Sequence, residues 1–326
     1  MAETIRVAVG LPGDASDEQL TLAKQMGCSG VVLATPKRLP GEQRWEAADL
    51  ARLREWVESF DLRLEAIQNW PATFIDKVRL GLPGRDEQIE HCQATIRNLG
   101  RAGIPILGYN WRPNQLYRTG TRPGRGGAEV TTFDLARARD LPLSHGRLYT
   151  AEEIWANYEY FVRAVLPVAE GAGVRLALHP DDPPGPAIGG VARIFSSFEG
   201  FERGSRIVDS PSWGLLFCAG CWSEMGGTAN VLRGIRHFGP RGQIAYVHFR
   251  DVQGIGDQFA ECFIGEGNLD ITAVLRALVE VGFDGCLIDD HVPHMVGDTG
   301  WAPRGRAYST GYLMGLLRAV QDLSGS

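Results

Sequence analysis

The sequence lacks any apolar run near the roughly 18 residues that a membrane span needs, and its start, MAETIRVAVG, lacks the basic-then-apolar pattern of a signal peptide. A cytoplasmic protein with no membrane partner is therefore expected. Cysteine is scarce: six in 326 residues, at Cys28, Cys92, Cys218, Cys221, Cys262 and Cys286. So few and so scattered, they exclude a disulfide framework, and any cysteine with a special task should be a ligand or a nucleophile. A dense stripe of lysine and arginine is also missing and the formal net charge is -6, which argues against a nucleic-acid partner. The one locally basic stretch, 118-RTGTRPGRGG-127, is glycine-rich and reads as a mobile loop. What is present, 44% hydrophobic and 22% charged residues, suffices for a large core in a soluble globular protein.

The organisation is an alternation. Short β-rich runs occur at 5–11, 30–36, 63–70, 106–111, 175–180, 213–220, 244–252 and 286–292. Between them lie helical patterns such as 85–103, 151–173 and 271–282, with apolar residues at three- and four-residue spacing and glycine near several C-termini. Repeated helix, Ala-Gly or Val-Gly, then strand is the one-dimensional trace of a parallel sheet with crossover helices. Eight such units favour a (β/α)8 barrel, a TIM barrel, over an open doubly wound sheet. No linker divides residues 1–326, so one barrel domain is expected. The stretch 112–149, rich in Arg, Gly and Pro, is too long for an ordinary connection and reads as a functional loop insertion after strand four.

In such barrels the active site sits at the C-terminal ends of the strands. Four consecutive strands end in side chains of one chemical kind: His179 in 175-RLALHPDDPPGP-186, Cys218 in 214-GLLFCAGCWSEMG-226, His248 in 247-VHFRDV-252, and Asp290 with His291 in 286-CLIDDHVP-293. A His, Cys, His and Asp set suits a borderline divalent ion such as Mn2+, Fe2+, Co2+, Ni2+ or Zn2+, and suits Mg2+ or Ca2+ poorly. Any one of these residues alone would more simply be structural. Cys218 and Cys221 also form a C-x-x-C, open to a redox reading. Pro180, Pro183 and Pro184 end the strand and stiffen the loop after His179. They hold Asp181 and Asp182 at the rim, where either could orient a ligand or a substrate hydroxyl, or merely cap the turn.

The segments 178-LHPDDPP-184, 214-GLLFCAG-220, 247-VHFRDV-252, 290-DHV-292, 305-GRAYSTGYLMGLLRAV-320 and 108-GYNWRP-113 resemble the mannonate dehydratase family within the xylose-isomerase-like barrels. The resemblance implies that His179, Cys218, His248 and Asp290 bind a catalytic divalent metal, usually Mn2+. It also implies a lyase that removes water from a sugar acid such as D-mannonate to give a 2-keto-3-deoxy acid. Such chemistry needs a positioned acid–base group and a grip on the substrate carboxylate. His291 is the first candidate for proton transfer, with support of Asp290 as its other reading. Arg250 and Arg306 could hold the carboxylate, and Asp181 and Asp182 remain candidates. Tyr109 and Asn110 are candidate wall residues. Where many family members carry Arg-Pro before the Asp-His of strand eight this chain has Ile288-Asp289, and where they carry Gly-Tyr before the final Gly-Arg it has Gly300-Trp301. These changes remove an anion-binding and a phenolic group and make Trp301 an apolar wall. A metal-dependent isomerase, epimerase or lyase acting on another sugar acid, polyol or glycoside-like substrate is the alternative, and a non-catalytic sugar-binding barrel a further one. The chain is expected to form a homo-oligomer.

Overall fold

The computed structural model describes residues 5–114 and 117–324, and the following statements concern those residues. Nine strand segments form one parallel sheet in the order 6–7, 286–288, 244–248, 213–218, 175–179, 106–110, 63–68, 30–34 and 9–11. Arg6–Val7 and Val9–Leu11 flank Ala8, whose N–H donates to Leu287 O at 2.9 Å. The two end segments are thus halves of one strand, and the sheet closes into the expected eight-stranded barrel.

The strands are nearly continuous apolar runs because both faces are buried. Along Gly30–Ala34 the side chains of Val31 and Leu33 join the outer core under the helices, whereas Val32 joins the barrel interior. Leu176, Leu178 and Ala177 repeat the pattern on Arg175–His179. Most interior residues are small, and Tyr246 fills the space they leave. A Cβ at Gly108 would lie 2.3 Å from the Tyr246 hydroxyl, so this strand position requires glycine. Helices Arg85–Arg101, Ala151–Ala172 and Ile271–Glu280 cover the outside. Thr150 and Glu153 form a capping box on the second, and Asp270 accepts from Ala273 N–H at 2.9 Å on the third.

The strands differ from expectation at two places. The stretch 118–127 is not one loop: Gly120–Pro123 is a strand, and with Glu129–Asp134 it pairs antiparallel. The apolar run 244–252 is not one strand either. It leaves the barrel after His248, and Asp251–Gln253 turns back against Gln258–Cys262. These four strands make a second sheet, in the order 251–253, 258–262, 129–134 and 120–123, at the rim. Periodicity within each run could not reveal that partnership, because the two hairpins are over 100 residues apart.

Candidate active site

Sheet register brings the strand ends level. Asn110 pairs with His179, Cys218 with His248, and His248 with Ile288, two residues before Asp290. The ligand atoms of His179, Cys218, His248 and Asp290 lie within 4.8 Å of one another. The fit to a metal ion can be read from the nitrogens. His179 Nδ1 is 2.7 Å from Pro180 O, which fixes the ring and leaves Nε2 as its nitrogen toward Cys218. His248 Nε2 is 2.8 Å from Gln68 Oε1, and its buried Nδ1 has no hydrogen-bond partner among the described residues, although it stands 3.4 Å from Asp290 Oδ2. Imidazoles held at one nitrogen and open at the other are the arrangement that metal ligation uses.

Electrostatics agree. Cys218 caps helix Ala219–Glu224, its sulfur accepting from Cys221 N–H at 3.5 Å. Burial alone would raise its thiol, but the Cys221 hydrogen bond, Arg250 and the two histidines hold it well below the ordinary range. Burial likewise opposes ionisation of Asp290, and His291, His248 and Arg250 overcome it, keeping the carboxyl well below its usual value. A thiol favoured toward its thiolate and a carboxylate therefore face two imidazoles, a set matched to a borderline divalent cation. Cys221 goes the other way: burial pushes its thiol up, and its sulfur accepts from Arg250 at 3.3 Å. The two cysteines thus have different tasks.

His291 stands beside this cluster. Its Nδ1 is 2.9 Å from Glu261 Oε1 and 3.0 Å from Arg118 Nη2, and Nε2 is 3.8 Å from Asp290 Oδ1. With Nδ1–H donated to Glu261, Nε2 is left for chemistry, and the half-buried ring lines a cavity of about 270 Å3 shared with Trp301 and Arg306. A larger cavity of about 710 Å3 reaches from His248 and Asp290 past Gln68, Ile288 and Trp301 to Arg306. Asp182 and Glu261 ionise despite burial, because Arg118 and Arg250 lie against both.

Several expected substrate contacts lie elsewhere. Arg250 is fully buried: Nε donates to Asp290, Nη1 to both oxygens of Glu261, and Nη2 to Asp182, all at 3.0 Å. Glu224 approaches the same Nη2 at 2.8 Å without hydrogen-bond geometry, and burial holds its carboxyl well above the usual value. With every donor committed, Arg250 is an internal hub and does not reach a substrate. Asp182 is closed off too, by Arg118 at 2.6 and 3.0 Å and by Arg250. Asp181 turns away from the cavity and accepts from Phe195 N–H at 2.9 Å, tying the strand end to a residue 14 positions on. Tyr109 is buried among the outer core with its hydroxyl 3.1 Å from that of Tyr158. Consecutive strand residues face opposite ways, so Asn110 reaches the rim and Tyr109 cannot.

Arg306 does line both cavities, with Nε on Trp301 O and Nη1 on Asp289 Oδ2, each at 2.7 Å. Trp301 also lines both and donates Nε1–H to Gly10 O at 3.0 Å. Gln68, Arg118, Glu224 and Glu261 were not anticipated. Gln68 ends the third barrel strand, so the strand-end rule applied to His179 would have found it.

A parallel barrel whose C-terminal rim joins four candidate ligand side chains to a histidine–carboxylate pair has the form of a (β/α)8 enzyme site. The family model for D-mannonate dehydratase (UxuA) matches residues 9–145 and 143–325. A mannonate dehydratase of Streptococcus pneumoniae is 31% identical over 92% of this chain and 89% of its own, and one of Thermotoga petrophila is 30% identical over 91% and 92%. The crystal structure of mannonate dehydratase from Streptococcus suis is 29% identical, covers 99% of this chain and 96% of that one, and superposes with a TM-score of 0.89. An L-ribulose 3-epimerase, 14% identical with a TM-score of 0.64, shares the fold. The chain belongs to the D-mannonate dehydratase family, and that membership makes it a lyase.

Proposed function

We propose that the chain dehydrates a sugar acid, D-mannonate first among candidates, to the 2-keto-3-deoxy acid, with a divalent ion held by His179, Cys218, His248 and Asp290. Mn2+ is the first expectation, with Fe2+, Co2+, Ni2+ and Zn2+ compatible with the donors. The observation that carries this reading is the four converging donor atoms, with both imidazoles pinned at their outer nitrogens, beside His291. When bound, such an ion supplies a Lewis acid that stabilises negative charge developing on the carboxylate side of the substrate.

The protein's own groups do the rest. His291 takes the proton from the carbon next to the carboxylate through Nε2, and Glu261 stabilises the imidazolium that results. The same proton returns to the neighbouring hydroxyl as it leaves, so the substrate loses one water and the enol formed rearranges to the ketone. Arg250 and Arg118 keep Glu261 and Asp182 ionised and fixed. Trp301, tied to Gly10 O, has no hydroxyl to donate, so it serves as a wall. Ile288 is buried at the cavity floor, which leaves Arg306, already shared with Asp289, as the cation of the larger cavity.

Turnover of D-mannonate by metal-reconstituted protein, followed by the appearance of the 2-keto-3-deoxy product, tests the proposal. A kcat/KM at or above about 10^4 M-1 s-1, the lower part of the usual enzyme range, is expected if mannonate is the substrate. A much lower value with brisk turnover of another sugar acid would move the substrate and keep the chemistry. No dehydration of any sugar acid by fully metallated protein would overturn the reading.

A further inference from the structure

A third cavity, of about 560 Å3, opens at the rim beside barrel strands three and four, and the chemistry above makes no use of it. Asn69 and Trp70, just past the third strand, form one wall, and Asn110 ends the fourth; Arg79, Arg112 and His145 are its basic lining residues. Among the described residues lining it there is no aspartate or glutamate. Arg79 is 6% exposed, and Nη2 donates to the carbonyl and, at 3.0 Å, to the side-chain oxygen of Asn110, both neutral acceptors. Arg112 donates to the backbone of Asp182 at 3.3 Å. Asp181 and Asp76 attract Arg79 from a distance, but no carboxylate lies within ion-pair range of Arg79 or Arg112 among the described residues. Two donors on this lining, Arg79 Nε and Trp70 Nε1, are buried without an acceptor, and His145 Nε2, a donor in one tautomer, is buried without a partner.

We infer that this cavity is an oxyanion subsite that takes a carboxylate or phosphate group carried by a small organic molecule. A buried donor without a partner costs about 1–3 kcal/mol and more when charged, and native proteins rarely leave several together. Burial and the neighbouring charge of Arg112 push Arg79 down to about 9, the mark of a cation lacking its counter-ion. Guanidinium groups suit planar or tetrahedral oxyanions because they offer paired donors. The volume exceeds a bare ion, so the anion belongs to a larger ligand. Asn110 pairs in register with His179, and neighbouring strands lie about 5 Å apart, which sets the subsite one strand from the metal ligands. Two sources share this chemistry: an acidic group of the substrate itself, or a separate anion.

Inorganic phosphate titrated calorimetrically into the full chain is the test. The wild type should bind it, and half-buried Arg112→Gln, with its fold checked by circular dichroism, should weaken binding about 10-fold or more, the equivalent of one charged hydrogen bond. Arg79→Gln should weaken it further, and if that variant fails to fold, Arg112→Gln decides alone. In kinetics, phosphate that raises only the apparent KM for the sugar acid assigns the subsite to the substrate's own acidic group; phosphate that changes kcat or neither constant assigns it to a separate anion. Absent binding in the wild type, or equal affinity in the wild type and Arg112→Gln, overturns the inference. Phosphate binding is read without turnover, so its result stands apart from that of the dehydratase proposal.

Discussion

The two halves of the barrel rim carry opposite charge arrangements. On the side of strands five to eight, Asp182, Glu224, Glu261 and Asp290 surround Arg250 and Arg118, and every guanidinium is matched by carboxylates. On the side of strands three and four, Arg79 and Arg112 face amides and backbone oxygens. Arg79 and Arg250 are both buried, so the difference between these two is not solvation. Where carboxylates outnumber the arginines, the charge balance suits the proposed cation; where arginines lack carboxylates, it suits the inferred anion. A rim holding both could grip a charged substrate at two points, and the inferred anion subsite would add Arg79 and Arg112 to Arg306, the arginine that sequence position suggested and that lines the larger cavity.

The comparison breaks most visibly if its cation side is dismantled. Cys218→Ala or His248→Ala should abolish both metal content and turnover, whereas the purified wild type should hold about one divalent ion per chain by elemental analysis. Next comes His291→Asn. It should keep the metal and lower kcat by about 10^2 to 10^4, the usual contribution of general acid–base catalysis; near-normal turnover would leave His291 a support for Asp290. Arg250→Met removes the hub and strands up to four carboxyl groups in the interior. Denaturant unfolding should show a loss of about 3–5 kcal/mol, the cost of breaking a buried ion pair from one side, and a loss under 1 kcal/mol would mean that the carboxylates hold one another without it. The smallest effect concerns substrate choice. Trp301→Tyr with Ile288→Arg restores a phenol and a cation to the larger cavity, and kcat/KM on D-mannonate should rise by about 10-fold, the equivalent of one hydrogen bond to a charged group; no change would mean that Arg306 or the arginine cavity already supplies the grip.

The barrel and the clustering of the four candidate ligands were legible because each rests on a local rule. Strand ends are found from apolar runs stopped by Pro, Gly or polar residues, and the fold puts function at those ends, so His179, Cys218, His248 and Asp290 could be read one strand at a time. Contacts that depend on side-chain direction or on distant hairpins could not. Arg250 follows His248 by two residues, yet the chain has left the barrel there and Arg250 turns inward to Glu261, which comes from the rim sheet. Arg118 sits in a stretch that reads as a glycine-rich loop, yet its guanidinium joins Asp182, Glu261 and His291. Arg79, on the short helix Asp76–Leu80, is sequence-remote from every motif and becomes notable only when its lack of a carboxylate partner is seen. The departures at Ile288 and Trp301 were legible as substitutions, but the pairing of Asp289 with Arg306 needed coordinates.

The claim on which the account depends is that Cys218, and not its neighbour Cys221, is a metal ligand in a mixed nitrogen, sulfur and oxygen site. Adding Co2+ to chelated protein and recording the absorption spectrum measures this directly, because a coordinated thiolate gives a sulfur-to-metal charge-transfer band that nitrogen and oxygen ligands do not. The account predicts that the band appears at about one equivalent of Co2+ in the wild type and in Cys221→Ala, and is lost in Cys218→Ala. A band that survives Cys218→Ala, or its absence from the wild type, would contradict it.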